Sequence, residues 1–187
     1  MPRIQNFDEI NQNTPVLIAG QTASGKSQLA LEIAEKYGGI IVNADAIQVY
    51  KNWQILTARP SSADEAKIKH KLYGHIDGIT DYSVGTWIKE IRDILSSASR
   101  PIIVGGTGLY FSALTAGLVD IPEISESIRL EANNKITKNG FGSLIGEIDE
   151  ETVKKIDINN PMRVQRAWEV LKSTGRGLNS WHKENPK

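Results

Sequence analysis

The sequence of 187 residues predicts an α/β fold, in which a parallel β-sheet carries helices on both faces. Short apolar runs of strand length occur at residues 15–19, 40–42 and 101–104. Between these runs lie longer segments whose apolar residues recur at helical spacing. Strands that alternate with helices are typical of a parallel sheet, and ligands of such sheets bind at the carboxyl ends of the strands.

The first part of the chain predicts a strand, a loop, a helix and a second strand. Residues 15–19 form a buried strand that enters a glycine-rich turn. A helix then begins near Lys26 and extends to Tyr37, where two glycines end it. The second strand follows at residues 40–42.

The middle of the chain continues the alternation. Residues 73–79 have the mixed pattern of a shorter strand. Ser83 is placed as the N-cap of a helix whose apolar residues include Trp87 and Ile91. Residues 101–104 predict a further strand, and the apolar stretch 109–118 continues as a helix.

Composition divides the chain into three parts. From residue 122 onwards the sequence is polar and helix-like with few strand signals, and a firm helix follows the Asn-Pro turn before Met162. We therefore assign residues 1–118 to the α/β core and residues 119–160 to a small helical insertion. Residues 161–187 are assigned to a helix that returns to the core.

Charge and cysteine content exclude several kinds of protein. Lys and Arg together number 22, as do Asp and Glu, so an RNA contact must come from local basic patches. Cysteine is absent, which excludes disulfides and cysteine-ligated zinc. His70, His75 and His182 lack metal-ligand spacing. Residues 1–14 contain no apolar run suited to a signal peptide or a membrane span, so we expect a cytoplasmic protein without membrane contact.

A phosphate-binding motif follows the first predicted strand. It fits the pattern G-x-x-x-x-G-K-[ST] between a strand and a helix, which is the context that a P-loop requires. Its glycines let backbone N–H groups converge on phosphate oxygens, while the lysine neutralises charge and the final serine can bind Mg²⁺. The predicted phosphate-binding residues are Gly20, Gln21, Thr22, Ala23, Ser24, Gly25, Lys26 and Ser27.

The acidic residues near the predicted strand ends bear on whether this P-loop serves the hydrolysis of a nucleoside triphosphate. A nucleoside triphosphatase usually carries an acidic residue at the end of a neighbouring strand, where it orients Mg²⁺. The strand at 101–104 ends in Gly105 and Gly106 instead, which argues against ATP hydrolysis as the main reaction. Asp45 follows the second strand and could be a metal ligand, a base or a solvated loop carboxylate.

Six landmarks along the chain together indicate a family. They lie at residues 20–27, 43–50, 57–60, 82–84, 105–110 and 160–170. In this order they resemble the landmarks of the tRNA dimethylallyltransferases, and the resemblance covers residues 16–175. It implies that a dimethylallyl group passes from its diphosphate to N6 of an adenosine in the anticodon loop of tRNA, with release of diphosphate.

The resemblance also implies roles for single residues. The P-loop would hold the diphosphate of dimethylallyl diphosphate, with Mg²⁺ bound at Ser27. Asp45 would accept the proton of the adenine amine, and Thr107 would lie close to the reacting centre. The insertion would face tRNA, and the implied tRNA contacts are Asp45, Ala46, Ile47, Gln48, Thr107, Arg129, Met162, Arg163, Val164, Gln165 and Arg166.

The residues alone leave some of these assignments open. Arg163 and Arg166 lie three apart on a predicted helix, so they form either a solvated face or a track for RNA phosphates. Trp168 is expected to pack in a core. Members of the family extend beyond the position of Lys187, so we expect the chain to be a fragment, a short form or a decayed copy of such a protein. Separately, we expect a monomer.

Three other functions fit parts of the pattern. An adenylate dimethylallyltransferase would use the same donor with a free nucleotide, but it needs no basic track such as Arg129, Arg163 and Arg166. A small-molecule kinase would hold ATP with Lys26 and activate a hydroxyl with Asp45. An inactive nucleotide-binding or RNA-binding remnant would retain the P-loop without the reaction.

Overall fold

The computed structural model describes residues 14–97 and 99–184, so the prediction about the N-terminal segment, 1–13, lies outside the described residues. The described chain divides between Ala116 and Gly117 into two compact units. We call the residues up to Ala116 the sheet unit and those from Gly117 onwards the helical unit.

The described part of the sheet unit contains a parallel sheet of four strands in the order β1-β4-β2-β3. The strands are β1 (Val16–Ala19), β2 (Ile40–Asn43), β3 (His70–Lys71) and β4 (Pro101–Gly105). β4 pairs in parallel with both β1 and β2, and β2 pairs in parallel with β3. The sheet and its connecting helices confirm the predicted α/β fold class.

Successive residues of the central strands alternate between two apolar cores. Ile41 and Ile102 pack on one face of the sheet with Ala30 and Ile33. Their neighbours Val42 and Ile103 pack on the other face with other apolar residues. Since both faces are covered, the central strands are apolar without interruption, as in other buried parallel sheets. The same burial explains why the sequence reveals these strands so clearly.

The helices of the sheet unit are α1 (Lys26–Tyr37), α2 (Ser62–Lys67), α3 (Val84–Leu95) and α4 (Gly108–Ala116), with a short 3₁₀ turn at Lys51–Trp53. α1 has the predicted bounds. Ser83 caps α3 as predicted, because its Oγ accepts a hydrogen bond of 3.1 Å from Thr86 N. α4 ends at Ala116 rather than at the predicted residue 118.

The strand predicted at residues 73–79 is wrong. The third strand is His70–Lys71, and within 73–79 the one backbone bridge described is that of Ile76 with Tyr50. Leu72 and Gly74 have φ values of 61° and 52°, which turn the chain out of the extended conformation. Left-handed residues on either side of Tyr73 therefore end the strand early.

The helical unit consists of α5 (Glu126–Asn139), a 3₁₀ segment (Phe141–Glu147), α6 (Glu150–Val153), α7 (Pro161–Thr174) and α8 (Leu178–His182). The predicted helical character and the break at Gly140 are confirmed. α7 begins at the predicted Asn-Pro turn, where Asn160 Oδ1 accepts from Met162 N and Arg163 N, and it ends at Gly175 in the left-handed conformation.

The domain assignment of α7 requires a correction. Val164, Ala167 and Trp168 of α7 belong to the same apolar cluster as Ala132 and Leu144. Trp168 is 1% exposed there, which confirms its predicted packing role. α7 therefore packs within the helical unit, and the boundary between the units lies at residue 116 rather than 118.

No helix among the described residues combines the length and the apolar character needed to cross a membrane.

Candidate active site

The P-loop leaves an open helix N-terminus at the carboxyl end of β1. Gly25 directly precedes α1 with a φ of 86°, a conformation that glycine adopts without strain. No side chain caps this end of α1, and its first turn contains no acidic residue. The N–H groups and the positive end of the helix dipole are therefore directed at the loop, where an anion would bind.

Backbone bonds fix the loop to the sheet. Gly20 N donates to Gly105 O at 3.3 Å, and Ser24 N donates to Gln21 O at 3.2 Å. Lys26 Nζ donates to Gln21 O at 3.0 Å and thus lies over the loop. The structure therefore groups the predicted phosphate-binding residues as the motif requires.

Asp45 lies across the end of β4 from the P-loop. A Cβ atom placed on Gly106 would lie 3.4 Å from Gly20 O and 3.7 Å from Asp45 Oδ2. Asp45 Oδ1 accepts a hydrogen bond of 2.9 Å from Ile47 N, which fixes the orientation of the carboxylate. The structure thus brings the P-loop residue Gly20 and the carboxylate of Asp45 together at Gly106.

Thr107 is attached to the turn that carries Asp45. Its backbone N donates to Ala44 O at 3.3 Å, and its Oγ1 accepts from Ala46 N at 2.9 Å. A Cβ atom on Gly105 would lie 2.1 Å from Ala44 O, so only glycine permits this close approach. The predicted neighbours Asp45 and Thr107 therefore form one connected structure at the strand ends.

Asn43, the last residue of β2, is a site residue that was not predicted. Its side chain is fully buried, accepts a hydrogen bond from Asp45 N, and donates to Asp45 O and Leu72 O. Trp87 Nε1 donates to Asn43 O at 2.8 Å. A polar residue that ends an otherwise apolar buried strand was the signal that could have identified it.

Two tyrosines near Asp45 remain in the neutral form. Burial, and then the charge of Asp45, raise the pKa of Tyr73 above its usual range. Tyr110 stacks on Trp87 at 4.6 Å, and burial, Tyr50 and Asp45 raise its pKa to about 12. Both phenols are therefore protonated at neutral pH and are unsuited to act as bases.

The donor atoms near the P-loop suit Mg²⁺. Ser27 is exposed at the start of α1 and would offer its hydroxyl oxygen to the ion, and Asp45 is the carboxylate that lies at the neighbouring strand end. Hard cations such as Mg²⁺ prefer oxygen ligands and take several of them from water and substrate phosphates. The described residues contain no group of three or more His, Cys, Asp and Glu side chains that could hold a metal ion. A Mg²⁺ ion bound at Ser27 would therefore take its other ligands from water and from the phosphate groups of the substrate.

The predicted RNA contacts in the sheet unit have different surroundings. Ile47 is 58% exposed and can contact a ligand. Gln48 Nε2 donates to Thr57 O at 2.7 Å and to Ala58 O at 3.3 Å, so its amide group holds the loop at 57–58. Ala46 contributes its backbone N–H to Thr107.

The predicted contacts in the helical unit form a partly basic surface. Arg129, Met162, Arg163 and Arg166 are exposed. The pKa of Arg166 is lowered, mainly because its guanidinium is partly desolvated. The charge of Glu169 opposes this shift, and the charge of Arg129 adds to it. Arg129 on α5 and Arg166 on α7 are thus close enough to feel each other's charge.

Two residues predicted on the same surface serve the fold. Val164 is fully buried in the core of the helical unit, so the predicted RNA contact of its side chain is wrong. Gln165 Nε2 donates to Asn133 Oδ1 at 2.9 Å and to Glu169 Oε1 at 2.8 Å. Helical periodicity explains this outcome, because adjacent residues of a helix cannot all face the solvent.

Comparison with protein families extends these observations. The sequence matches the family model for IPP transferase over residues 48–187 and that for isopentenyl transferase over residues 14–79. It is 54% identical over 181 residues to a tRNA dimethylallyltransferase of Cereibacter sphaeroides strain KD131, covering 97% of this chain and 58% of that protein. A tRNA dimethylallyltransferase of Dinoroseobacter shibae is 52% identical over 186 residues, covering 98% of this chain and 62% of that protein.

Solved structures give a corresponding result. A eukaryotic dimethylallyltransferase acting on tRNA has a TM-score of 0.73 at 28% identity, covering 92% of this chain and 45% of that chain. The tRNA isopentenylpyrophosphate transferase of Bacillus halodurans has a TM-score of 0.55 at 28% identity, covering 87% and 56%. The chain spans about 58% of the length of the first curated relative. With three quarters of its length inside one family model, the chain belongs to the IPP transferase family.

Proposed function

We propose that this chain forms the donor-binding and catalytic part of a tRNA dimethylallyltransferase. In this reaction a dimethylallyl group passes from dimethylallyl diphosphate to N6 of an adenosine in the anticodon loop of tRNA. The observation that carries the proposal is the position of Asp45 and the P-loop on either side of Gly106. A base and an anion site so close together suit a reaction in which a proton and a diphosphate leave from adjacent atoms.

The P-loop is proposed to hold the diphosphate of the donor. Its open helix N-terminus and Lys26 would stabilise the negative charge that grows on the leaving group. β4 ends in Gly105 and Gly106 rather than in an acidic residue, which favours a diphosphate donor over a hydrolysed triphosphate. Mg²⁺, held by Ser27 and the diphosphate oxygens, would neutralise part of the same charge.

A cavity beside α1 supports a prenyl donor. It has a volume of about 130 Å³, and Ser27 of the P-loop forms part of its wall. Apolar wall atoms come from Leu31, Ile41, Ala58, Pro60 and Val104, and Arg59, Asp64, His70 and Tyr73 line the remainder. A small branched hydrocarbon attached to a diphosphate in the P-loop would be removed from water here, which is favourable for apolar groups.

Asp45 is proposed to be the general base. As N6 of adenine forms a bond to C1 of the donor, the bond from C1 to the diphosphate oxygen breaks and its electron pair leaves with the diphosphate. The amine then carries an excess proton, which Asp45 would accept through Oδ2, since Oδ1 is already engaged by Ile47 N. The adenine must leave its stack to reach this site, so the RNA would present it flipped out.

The helical unit is proposed to contact tRNA. Arg129, Arg163 and Arg166 are exposed and can neutralise RNA phosphates without reading sequence. A balanced net charge makes such a local patch necessary. We further propose that the chain acts in the cytoplasm as a monomer, on tRNA and dimethylallyl diphosphate as its two substrates.

Incubation of the chain with tRNA, dimethylallyl diphosphate and Mg²⁺, followed by mass spectrometry of the digested RNA, tests the proposal. We expect one adenosine of the anticodon loop to gain a dimethylallyl group. Parallel reactions with AMP as the acceptor, and with ATP and no prenyl donor, distinguish the other functions. Prenylation of AMP in preference to tRNA, or phosphoryl transfer from ATP, would replace the proposal with the adenylate enzyme or the kinase.

A further inference from the structure

Asn43 is buried in the sheet unit, yet nothing in the reaction requires it to touch a substrate. Its side chain is fully buried at the end of β2, two residues before Asp45. Burial of an amide is unfavourable unless its donors and acceptor are satisfied. The amide of Asn43 therefore needs partners in the surrounding main chain.

The side chain of Asn43 bonds to both main-chain polar groups of Asp45, its N–H and its C=O. Asn43 Oδ1 accepts from Asp45 N at 2.9 Å, while Asn43 Nδ2 donates to Asp45 O at 3.0 Å. The second proton of Nδ2 is used by Leu72 O, also at 3.0 Å. One side chain thus fixes the main chain before and after the Asp45 side chain and ties this turn to the end of β3.

These bonds determine where the carboxylate of Asp45 lies. The backbone of Asp45 is fixed by Asn43, and its Oδ1 is fixed by Ile47 N. The remaining oxygen, Oδ2, is then held beside Gly106. A displacement of about 1 Å at a reacting group can cost about 100-fold in rate. The orientation of Asp45 therefore depends on a residue that lies outside the reacting atoms.

Few other side chains could satisfy these partners. Asp has no donor when ionised, so it would place an oxygen against the carbonyl groups of Asp45 and Leu72. Ser can accept from the N–H two residues further on, as Asn does, but it is too short to replace both donor bonds. Ala leaves all three backbone groups without this partner.

We propose that Asn43 is a positioning residue, which sets the location of the Asp45 carboxylate for proton transfer. The inference rests on the proposed function, because it gives Asp45 the role of base. It predicts that loss of the Asn43 amide loosens the turn at residues 43–47 and slows transfer, while the P-loop and donor binding are unaffected.

Amide hydrogen exchange tests the positioning without any reference to activity. In Asn43→Ala, exchange at Asp45 N should accelerate by about tenfold, since that N–H loses its acceptor. Exchange at Gly20 N and Ser24 N should not change. Asn52→Ala is the matched control, because Asn52 Oδ1 accepts from Gly78 N at 2.7 Å in the same unit. It should accelerate exchange at Gly78 and leave Asp45 unchanged.

Transfer kinetics test the consequence. Asn43→Ala should lower kcat by about 100-fold with an unchanged KM for the donor, and Asn43→Ser should lie between that variant and the parent chain. Asn43→Ser also carries the test if Asn43→Ala does not fold. Unchanged exchange at Asp45, equal acceleration throughout the sheet unit, or an unchanged kcat would each overturn the proposal. If the parent chain transfers nothing, the proposed function fails, while the exchange data still decide whether Asn43 positions Asp45.

Discussion

The sheet unit and the helical unit differ in how they hold their polar residues. In the sheet unit, Asp45 and Thr107 lie on tight turns at strand ends, where backbone hydrogen bonds fix them. In the helical unit, Arg163 and Arg166 are exposed on one helix. Chemistry requires reacting groups at defined distances, whereas contact with phosphates requires mainly charge. We therefore propose that the sheet unit supplies the reacting groups and that the helical unit supplies contacts to RNA phosphates.

The interiors of the two units also differ in polarity. The sheet unit buries aliphatic side chains of its central strands on both faces of the sheet, for example Ile102 on one face and Ile103 on the other. The helical unit places Trp168 against charged neighbours, since Trp168 Nε1 donates to Glu147 Oε2 at 2.9 Å and Lys135 donates to the same carboxylate. The stability of the helical unit should therefore depend on pH through a defined group.

The largest expected effect concerns Asp45 in the sheet unit. Asp45→Asn keeps the size of the side chain but cannot accept a proton, so the single-turnover rate of transfer should fall by about 10²- to 10⁴-fold. Affinities for tRNA and donor should change little. The experiment requires a form of the chain with measurable transfer. A normal rate would refute the base role, whereas a loss of donor and Mg²⁺ binding would make Asp45 a metal-site residue.

The next effect concerns the close approach at Gly105. Gly105→Ala places a Cβ atom 2.1 Å from Ala44 O, so the strand ends must separate, at a cost of about 3 kcal/mol in the free energy of unfolding. Gly142→Ala in the helical unit is the matched control, since no atom lies within 4 Å of its Cβ position. Urea denaturation of both variants measures the difference. Equal stabilities would show that the strand ends are not tightly packed.

The P-loop prediction follows in size. Lys26→Ala removes a charged donor from the loop and should weaken binding of pyrophosphate with Mg²⁺ by more than about 1.5 kcal/mol. Titration calorimetry provides the measurement, with Lys36→Ala at the other end of α1 as a control that should bind normally. Unchanged affinity of the Lys26 variant would mean that phosphate binds elsewhere.

A smaller effect is expected from the basic surface of the helical unit. Replacing both Arg163 and Arg166 with Ala should weaken tRNA binding and reduce the slope of log affinity against log salt by roughly 1.4 to 1.8. Binding curves at several salt concentrations supply the slope. An unchanged slope would show that Arg163 and Arg166 do not contact RNA phosphates, and it would favour a free nucleotide as the acceptor.

The smallest effect concerns Glu147. Hydrogen bonds from Lys135 and Trp168 hold the pKa of its carboxyl below the usual value of 4.5. A carboxyl with a lowered pKa in the folded state stabilises the protein above that value, and the contribution disappears as the pH falls through the folded pKa. Since the side chain is 46% exposed, Glu147→Gln should cost less than about 1 kcal/mol near neutral pH. The difference in stability between the variant and the parent chain should vanish in acid. Thermal unfolding of both proteins across pH 3 to 7 measures this difference. An equal cost of the substitution at every pH would contradict the prediction.

The sequence predicted the features that depend on local pattern. Uninterrupted apolar runs revealed β2 and β4, and the motif at Gly20–Ser27 located the P-loop and the start of α1. The closeness of Asp45 and Thr107 was implied by the family resemblance, and in the structure Thr107 Oγ1 accepts from Ala46 N beside Asp45.

Features that depend on tertiary contacts were not predictable in the same way. The early end of β3 follows from the left-handed conformation of Leu72, which its residue type does not favour. The membership of α7 in the helical unit depends on partners such as Leu144, far away in sequence. The polar end of an apolar strand marks Asn43 in the sequence, but its role arises from bonds to main-chain groups of Asp45 and Leu72, which the sequence does not specify.

One binding experiment tests most directly whether donor contacts and RNA-phosphate contacts are divided between the two units. Lys26→Ala and the double variant of Arg163 and Arg166 are each titrated with pyrophosphate and Mg²⁺ and with tRNA, under identical conditions. The account predicts that the first variant loses pyrophosphate and keeps tRNA, while the second weakens tRNA and keeps pyrophosphate. Loss of both ligands in either variant, or of neither, would contradict the division.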